Sequence, residues 1–157
     1  MDEFGKFYNA SLRFLSYRPR SEKEIRENLL RKKAPGLIIE KIISKLKEQR
    51  FLNDKEFAKW WIEQRTNVSK KSLRVIKMEL LQKGINRDII EEMMHDITVT
   101  IQSDFDRAKE LVQKKIKKYE GFKRQEIYQK LGGFLGRRGF DWETIKKSID
   151  EVLTDAV

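Results

Sequence analysis

The chain offers few side chains able to act as nucleophile, base or ligand. It has one histidine, His95, and no cysteine. A serine nucleophile needs an imidazole held by a carboxylate, and a cysteine nucleophile needs a thiolate, so both are nearly excluded. His95 sits beside Met93 and Met94 in an acidic stretch, a poor setting for acid–base work. Asp88, Glu92 and Asp96 recur every four residues, so on a helix they share one face. Hard cations take carboxylates, but a metal-dependent nuclease needs acids that converge from different elements beside a placed lysine. One helix face does not converge. A solvated face, or a partner for a neighbouring basic helix, is the expected reading. Gly132, Gly133 and Gly136 lack the Gly-Lys-Ser/Thr ending of a phosphate-cradling loop. They read as close-packing points within a helix. No catalytic residue, cofactor site or metal site is expected, and the chain reads as a binding protein rather than an enzyme.

Binding chemistry is better supplied. Net charge is +10 over 157 residues, with 38% charged and 39% hydrophobic residues. Such a basic excess favours polyanionic partners. Charge is also segregated. Residues 65–87 carry seven Lys/Arg against Glu79 alone; residues 107–138 carry eleven against Glu110, Glu120 and Glu126. Residues 88–106 carry six acids and no Lys or Arg. The best contact candidates are Arg18, Arg20, Lys70, Lys71, Arg74, Lys77, Arg137 and Arg138, because guanidinium forks and ammonium groups pair with carboxylate or phosphate. The plain alternative for Arg137 and Arg138 is that they favour the carboxyl end of a helix. Trp60 and Trp61 suggest base stacking. Adjacent helix positions point about 100° apart, however, so Trp61 shares the Phe57 face and reads as core, with Trp60 nearer the surface. Phe51, Phe134 and Phe140 read as core or helix-junction packing, with Phe140 and Trp142 stapling the last helix.

The elements that must hold these residues are helices. Apolar residues recur at helical spacing along almost the whole chain, and no segment alternates as a strand does. Pro19 ends a first helix near Tyr17, and Pro35-Gly36 makes a turn. Ser21 with Glu24 fits a capping box, as does Asn53 with Glu56. Asn86 and Asp141 are further caps. Gly84, Gly121 and Gly139 suit left-handed helix stops. The spacing predicts nine helices, near 4–17, 21–33, 37–49, 53–66, 70–83, 87–97, 100–119, 122–137 and 141–154.

The nine fall into three similar sets. Ile25, Ile76 and Leu131 correspond, as do Leu29, Leu80 and Leu135, then Ile39, Ile90 and Ile145, then Leu46, Ile97 and Val152. The turn position reads Lys33, Gly84 and Gly139. The predicted fold is therefore all-α, with three tandem three-helix repeats over residues 1–52, 53–98 and 99–157. Thin units of this size gain by stacking. An elongated, curved array is expected, roughly 70–80 Å long if helix layers stack at roughly 8–10 Å. Its middle helices would then line up a basic stripe. No apolar run reaches the roughly 20 residues that span a bilayer. The start, Met1 to Gly5, lacks the cationic and apolar parts of a secretory signal. A cytoplasmic monomer is expected.

Four stretches carry a family resemblance. They are Arg18-Pro19-Arg20-Ser21-Glu22-Lys23-Glu24-Ile25, Phe51-Leu52-Asn53-Asp54 with Phe57-Ala58, Glu79 to Ile85, and Phe134-Leu135-Gly136-Arg137-Arg138-Gly139-Phe140. In that order, across roughly residues 8 to 150, the chain resembles the RecX regulatory proteins, which modulate the bacterial recombinase RecA. Two departures stand out. Arg50-Phe51 precedes the Leu-Asn-Asp motif where a Gly is common, and Ser69-Lys70-Lys71-Ser72 replaces a Gly-containing stretch. The resemblance implies a protein that lies in the groove of the RecA–single-stranded DNA filament. It implies inhibition or modulation of ATP hydrolysis, strand exchange and repressor cleavage. Direct contact with single- or double-stranded DNA is compatible with that role. The alternative is a basic helical protein that acts on nucleic acid by itself.

Overall fold

The computed structural model describes residues 2–67, 71–98 and 103–155. Among them are nine α-helices and no strand: α1 (Glu3–Tyr17), α2 (Glu22–Arg31), α3 (Gly36–Glu48), α4 (Asp54–Asn67), α5 (Leu73–Gln82), α6 (Arg87–Thr98), α7 (Asp104–Lys115), α8 (Arg124–Arg137) and α9 (Trp142–Asp155). The all-α expectation holds, and the starts follow the predicted caps. Ser21 and Glu24 form both halves of a capping box. Asn53 accepts from the amides of Lys55 and Glu56, Asn86 from Asp88, and Asp141 from Thr144. Each bond satisfies an amide that the first turn leaves without a helical partner.

Four helices stop in one way. After α2, α3, α5 and α8 a residue turns left-handed: Lys33 (φ 64°), Arg50 (φ 63°), Gly84 (φ 79°) and Gly139 (φ 90°). The next amide then reaches back to the helix: Ala34 to Leu29, Phe51 to Leu46, Ile85 to Leu80 and Phe140 to Leu135. This is the Schellman closure, in which the residue after the left-handed one commonly packs back on the helix. Ala34, Ile85 and Phe140 are buried accordingly.

The chain divides into two compact units. The first comprises Met1–Trp61 and Glu79–Met93. Its core gathers Phe7, Tyr8, Ile25, Leu29, Ile39, Ile42, Ile43, Leu46 and Leu52 from α1, α2, α3 and the turn after α3. The second comprises Ile62–Met78 and Met94–Val157. Its core gathers Ala108, Leu111, Val112, Ile127, Leu131, Leu135, Phe140, Ile145, Ile149 and Val152 from α7, α8, α9 and the turn before α9. The residues of α4, α5 and α6 are shared out between the two units.

The register of the repeats survives in burial. Ile25, Ile76 and Leu131 are buried, as are Leu29, Leu80 and Leu135, and Ile39, Ile90 and Ile145. Of the remaining set, Leu46 and Val152 are buried, and the Ile97 side chain lies outside the described residues.

Several expectations are corrected. α5 begins at Leu73, because the Ser72 hydroxyl accepts from the Val75 amide and caps the helix there. The described part of the seventh helix begins at Asp104, capped by Ser103, and tightens after Lys115 into a 3-10 turn over Ile116–Tyr119. Phe51 is not core: it keeps 54% of its surface exposed. Trp142 is exposed too, with its ring edge over Gly132, where a β-carbon would lie 3.5 Å away. Gly136 meets nothing within 4 Å, so it is no close-packing point.

Candidate functional site

Four of the eight candidate cations gather at one junction of the second unit, and a fifth lies one turn along. The segment that opens α5 supplies Lys71 and Arg74; the end of α8 supplies Arg137 and Arg138. Backbone bonds stitch the two together. The Ser72 amide donates to the Arg138 carbonyl at 3.2 Å. The Ser72 hydroxyl and the Arg74 guanidinium donate to the Gly139 carbonyl at 2.8 and 3.1 Å. Lys77 lies one turn beyond Arg74 on α5, so both share a face. Arg74, Lys77 and Arg137 are exposed, and Lys71 and Arg138 are half-buried. Arg138 lies over the Phe134 ring at 4.8 Å, with Lys115 at 3.7 Å from the same ring. Lys70 lies outside the described residues.

Asp141 lies beside this cluster. The Asp141 carboxyl is held below its ordinary range, first by the Thr144 amide, then by the Thr144 hydroxyl, and more weakly by the charge of Arg74. Arg137 occupies the last turn of α8, where the helix dipole favours a cation. Its end-capping role and a contact role are therefore compatible.

Arg107 was not anticipated as part of this junction. Its side chain is 2% exposed, donates to the Lys71 carbonyl at 3.0 Å and pairs with Asp104. Asp104 also accepts from the Leu73 amide at 3.1 Å. The pair thus anchors the start of α5. The signal in the sequence was an arginine in register with Leu111 on the apolar face of α7.

The other two candidates lie in the first unit and are held internally. Arg18 pairs with Glu24, donates to the Pro19 carbonyl at 2.7 Å and lies over Trp60 and Trp61, at 5.8 and 5.9 Å. Arg20 donates to the Phe14 carbonyl at 3.1 Å and lies over the Phe14 ring at 3.7 Å. Burial first, and then the charge of Arg18, push its pKa down. Trp61 is buried, as its shared face with Phe57 implied, and Trp60 is half-buried.

Burial pushes the Glu24 pKa up, but the hydrogen bonds from Arg18 and Ser21 and the charges of Arg18 and Lys83 outweigh it. The net value lies below the ordinary 4.5. A carboxyl depressed by folding contributes stability above its unfolded pKa and loses it as pH falls through the folded value. Glu24→Gln is therefore expected to destabilise the chain near neutral pH in urea unfolding. The gap to the unaltered chain should close as the solution is acidified below about pH 4. An equal gap throughout would show that this carboxylate's charge contributes nothing.

On the acidic helix, Glu92 pairs with Lys55 at 3.2 Å, the basic-partner reading of that face. Among the described residues, no group of His, Asp or Glu is placed to hold a metal ion. No helix there is long and apolar enough to cross a membrane.

An all-α chain of this kind, with cations gathered where the start of α5 meets the end of α8, is a small basic three-helix-repeat protein. Three family models match in order: the RecX first three-helix domain over residues 8–46, the second over 53–94 and the third over 102–149. The Regulatory protein RecX of Finegoldia magna is 36% identical over 151 residues, spanning 94% of this chain and 72% of that protein. The Regulatory protein RecX of Bacillus velezensis is 35% identical over 150 residues, spanning 96% of this chain and 56% of that protein. The crystal structure of RecX from Lactobacillus salivarius matches with a TM-score of 0.78 at 29% identity over 99% of each chain. The chain belongs to the RecX family of regulatory proteins. It spans about half the length of the Bacillus relatives it matches.

Proposed function

We propose that this chain binds the RecA–single-stranded DNA filament and inhibits its ATP hydrolysis, strand exchange and coprotease activity. The observation that carries the reading is the cation cluster of Lys71, Arg74, Arg137 and Arg138, held by backbone bonds in a chain of the RecX family. Preorganised guanidinium groups suit a partner's carboxylates or phosphates, because little ordering entropy remains to be lost on binding. The repeats over residues 1–52, 53–98 and 99–157 would act as linked contacts, each raising the effective concentration of the next. Binding along a filament would oppose the subunit motions that its activity needs. The setting would be the cytoplasm, and the acting species a monomer.

The test is single-stranded-DNA-dependent ATP hydrolysis by RecA with this protein titrated in, beside a naked-DNA binding curve at matched salt. Inhibition is expected well below one molecule per RecA, at concentrations where naked DNA is hardly bound. Replacing Arg74 and Arg137 together by Gln should weaken it by about a hundred-fold, as for the loss of two charge-assisted contacts worth about ten-fold each. Inhibition that appears only once the DNA is saturated would replace this reading with the direct one.

That second reading has its own support. In the second unit Tyr119 packs edge-on to Phe122, Phe122 is exposed with Lys130 at 6.0 Å, and Arg124 lies 5.7 Å from the Tyr128 ring. Aromatic faces interleaved with cations suit stacked bases and a phosphate backbone.

A further inference from the structure

The Schellman closure after α3 is unlike the other three. At two of the others the left-handed residue is Gly, and at all three the residue after it is buried: Ala34, Ile85 and Phe140. After α3 the left-handed residue is Arg50, and Phe51 behind it keeps more than half its surface in solvent. Leu52 enters the core in its place. A β-carbon strains the left-handed region, and an exposed phenyl ring gains no burial. Both residues therefore run against folding economy, and they do so side by side.

They also line one groove. It has a volume of about 520 Å³ and lies in the first unit, bounded by Leu12, Leu15, Pro19, Phe51, Arg18 and Arg50. Its lining contains no acid. Arg18 is already paired with Glu24, whereas Arg50 is exposed at the rim. The apolar lining wants an apolar side chain, and the rim wants a carboxylate. A nucleic-acid strand fits less well, because Phe51 is the single aromatic face among aliphatic Leu12, Leu15 and Pro19, and phosphates need a longer run of cations.

We propose that this groove docks a segment of a partner protein in which a large apolar side chain is flanked by Asp or Glu. The apolar residue lies against Leu12, Leu15 and Phe51, and a carboxylate pairs with Arg50. The inference rests on the chemistry of the groove and not on the partner being RecA, and its test contains no RecA.

Random twelve-residue peptides displayed on phage are selected on the full chain, and the enriched peptides are synthesised and titrated by fluorescence anisotropy. The expected peptides carry a Leu, Ile or aromatic residue within three positions of two acids. Arg50→Gly and Phe51→Ser should each weaken them by about ten-fold, the effect of losing one charge-assisted pair or one apolar anchor. Arg50→Gly relieves the left-handed strain, so its melting temperature should stay level or rise. Lost binding then cannot be lost fold. Enrichment of peptides without acids, equal binding to both variants, or no enrichment would each overturn the proposal. So would either of two other outcomes. In one, the variants lower affinity for oligo(dT), which puts nucleic acid in the groove. In the other, they abolish self-association in sedimentation, which puts a second copy there.

Discussion

Gly139→Ala is expected to lower the unfolding free energy by about 3 kcal/mol in urea or guanidinium titration. Two separate costs combine. At φ 90° a β-carbon meets its own backbone, a penalty of about 1–2 kcal/mol for a left-handed residue. That carbon would also lie 1.9 Å from Val75 Cγ2 and 2.8 Å from the Ser72 hydroxyl. Forcing atoms into such a packed junction costs about 1–3 kcal/mol. Two other glycines separate the terms. Gly121 has φ 82° with nothing within 4 Å of its built β-carbon, so Gly121→Ala should cost about 1 kcal/mol, from the backbone alone. Gly84 meets Lys23 Cβ at 2.7 Å and Cδ at 2.9 Å. Lys23 Cβ is fixed to the α2 backbone and cannot swing aside, but its overlap is milder than the 1.9 Å approach at Gly139, so Gly84→Ala should fall between the other two. Equal losses at all three positions would mean that the close approach of Val75 contributes nothing. Function should follow stability at Gly139 only. Its carbonyl holds Ser72 and Arg74, so displacing it should also weaken the proposed filament inhibition under conditions where the variant is folded.

Much of this architecture was legible because periodicity reports burial. The recurrence of Ile25, Leu29 and Ile39 at Ile76, Leu80 and Ile90, and at Leu131, Leu135 and Ile145, marks the same buried positions three times. Caps were legible because Ser21, Asn53, Asn86 and Asp141 act on amides two or three residues away, within reach of any local reading. Register placed Lys33 at the turn position shared with Gly84 and Gly139, and there it turns left-handed as they do. Three things were not local. Phe51 looked like core because it is aromatic and next to Leu52, yet the closure after α3 sends only Leu52 inward. Charge alone did not single out Arg107 among the basic residues of 107–138; its burial depends on Asp104 beside it and on the Lys71 carbonyl, 36 residues earlier. The division of the residues of α4, α5 and α6 between two compact units rests on long-range contacts. Periodicity says which residues are buried, not what they are buried against. The candidate cations show the same limit. Composition singled out Arg18 and Arg74 alike. Only long-range contacts separate Arg18, locked between Glu24 and two indole rings, from Arg74, whose exposed side chain sits at the α8–α9 turn.

The same physics makes Asp104→Ala more damaging than Arg107→Met, although arginine is the more deeply buried partner. Burial pushes the Arg107 pKa down, and the charge and hydrogen bond of Asp104 push it back up. Removing Asp104 leaves a guanidinium that is 2% exposed without its counter-charge, and takes the acceptor from the Leu73 amide. Breaking a fully buried pair from one side costs about 3–5 kcal/mol. The Asp104 side chain keeps 34% of its surface in solvent, so a loss of about 2–3 kcal/mol is expected here. Methionine at 107 puts an apolar stem into the same space. Asp104 then still caps the Leu73 amide, and the Lys71 carbonyl and the part-exposed Asp104 carboxylate each lose a donor, a cost of about 1 kcal/mol, because the carboxylate can turn to water. In a double-mutant cycle the paired change should cost less than the sum of the two, since alanine at 104 no longer strands a charge once 107 is methionine. Additive losses would show that the two side chains act separately. If they act as one, Asp104→Ala frees the backbone that presents Lys71 and Arg74. The proposed filament inhibition should then fall more for this variant than for Arg107→Met at equal folded fraction. That comparison reads the positioning of the cation cluster with every one of its five cations, Lys71, Arg74, Lys77, Arg137 and Arg138, still in place.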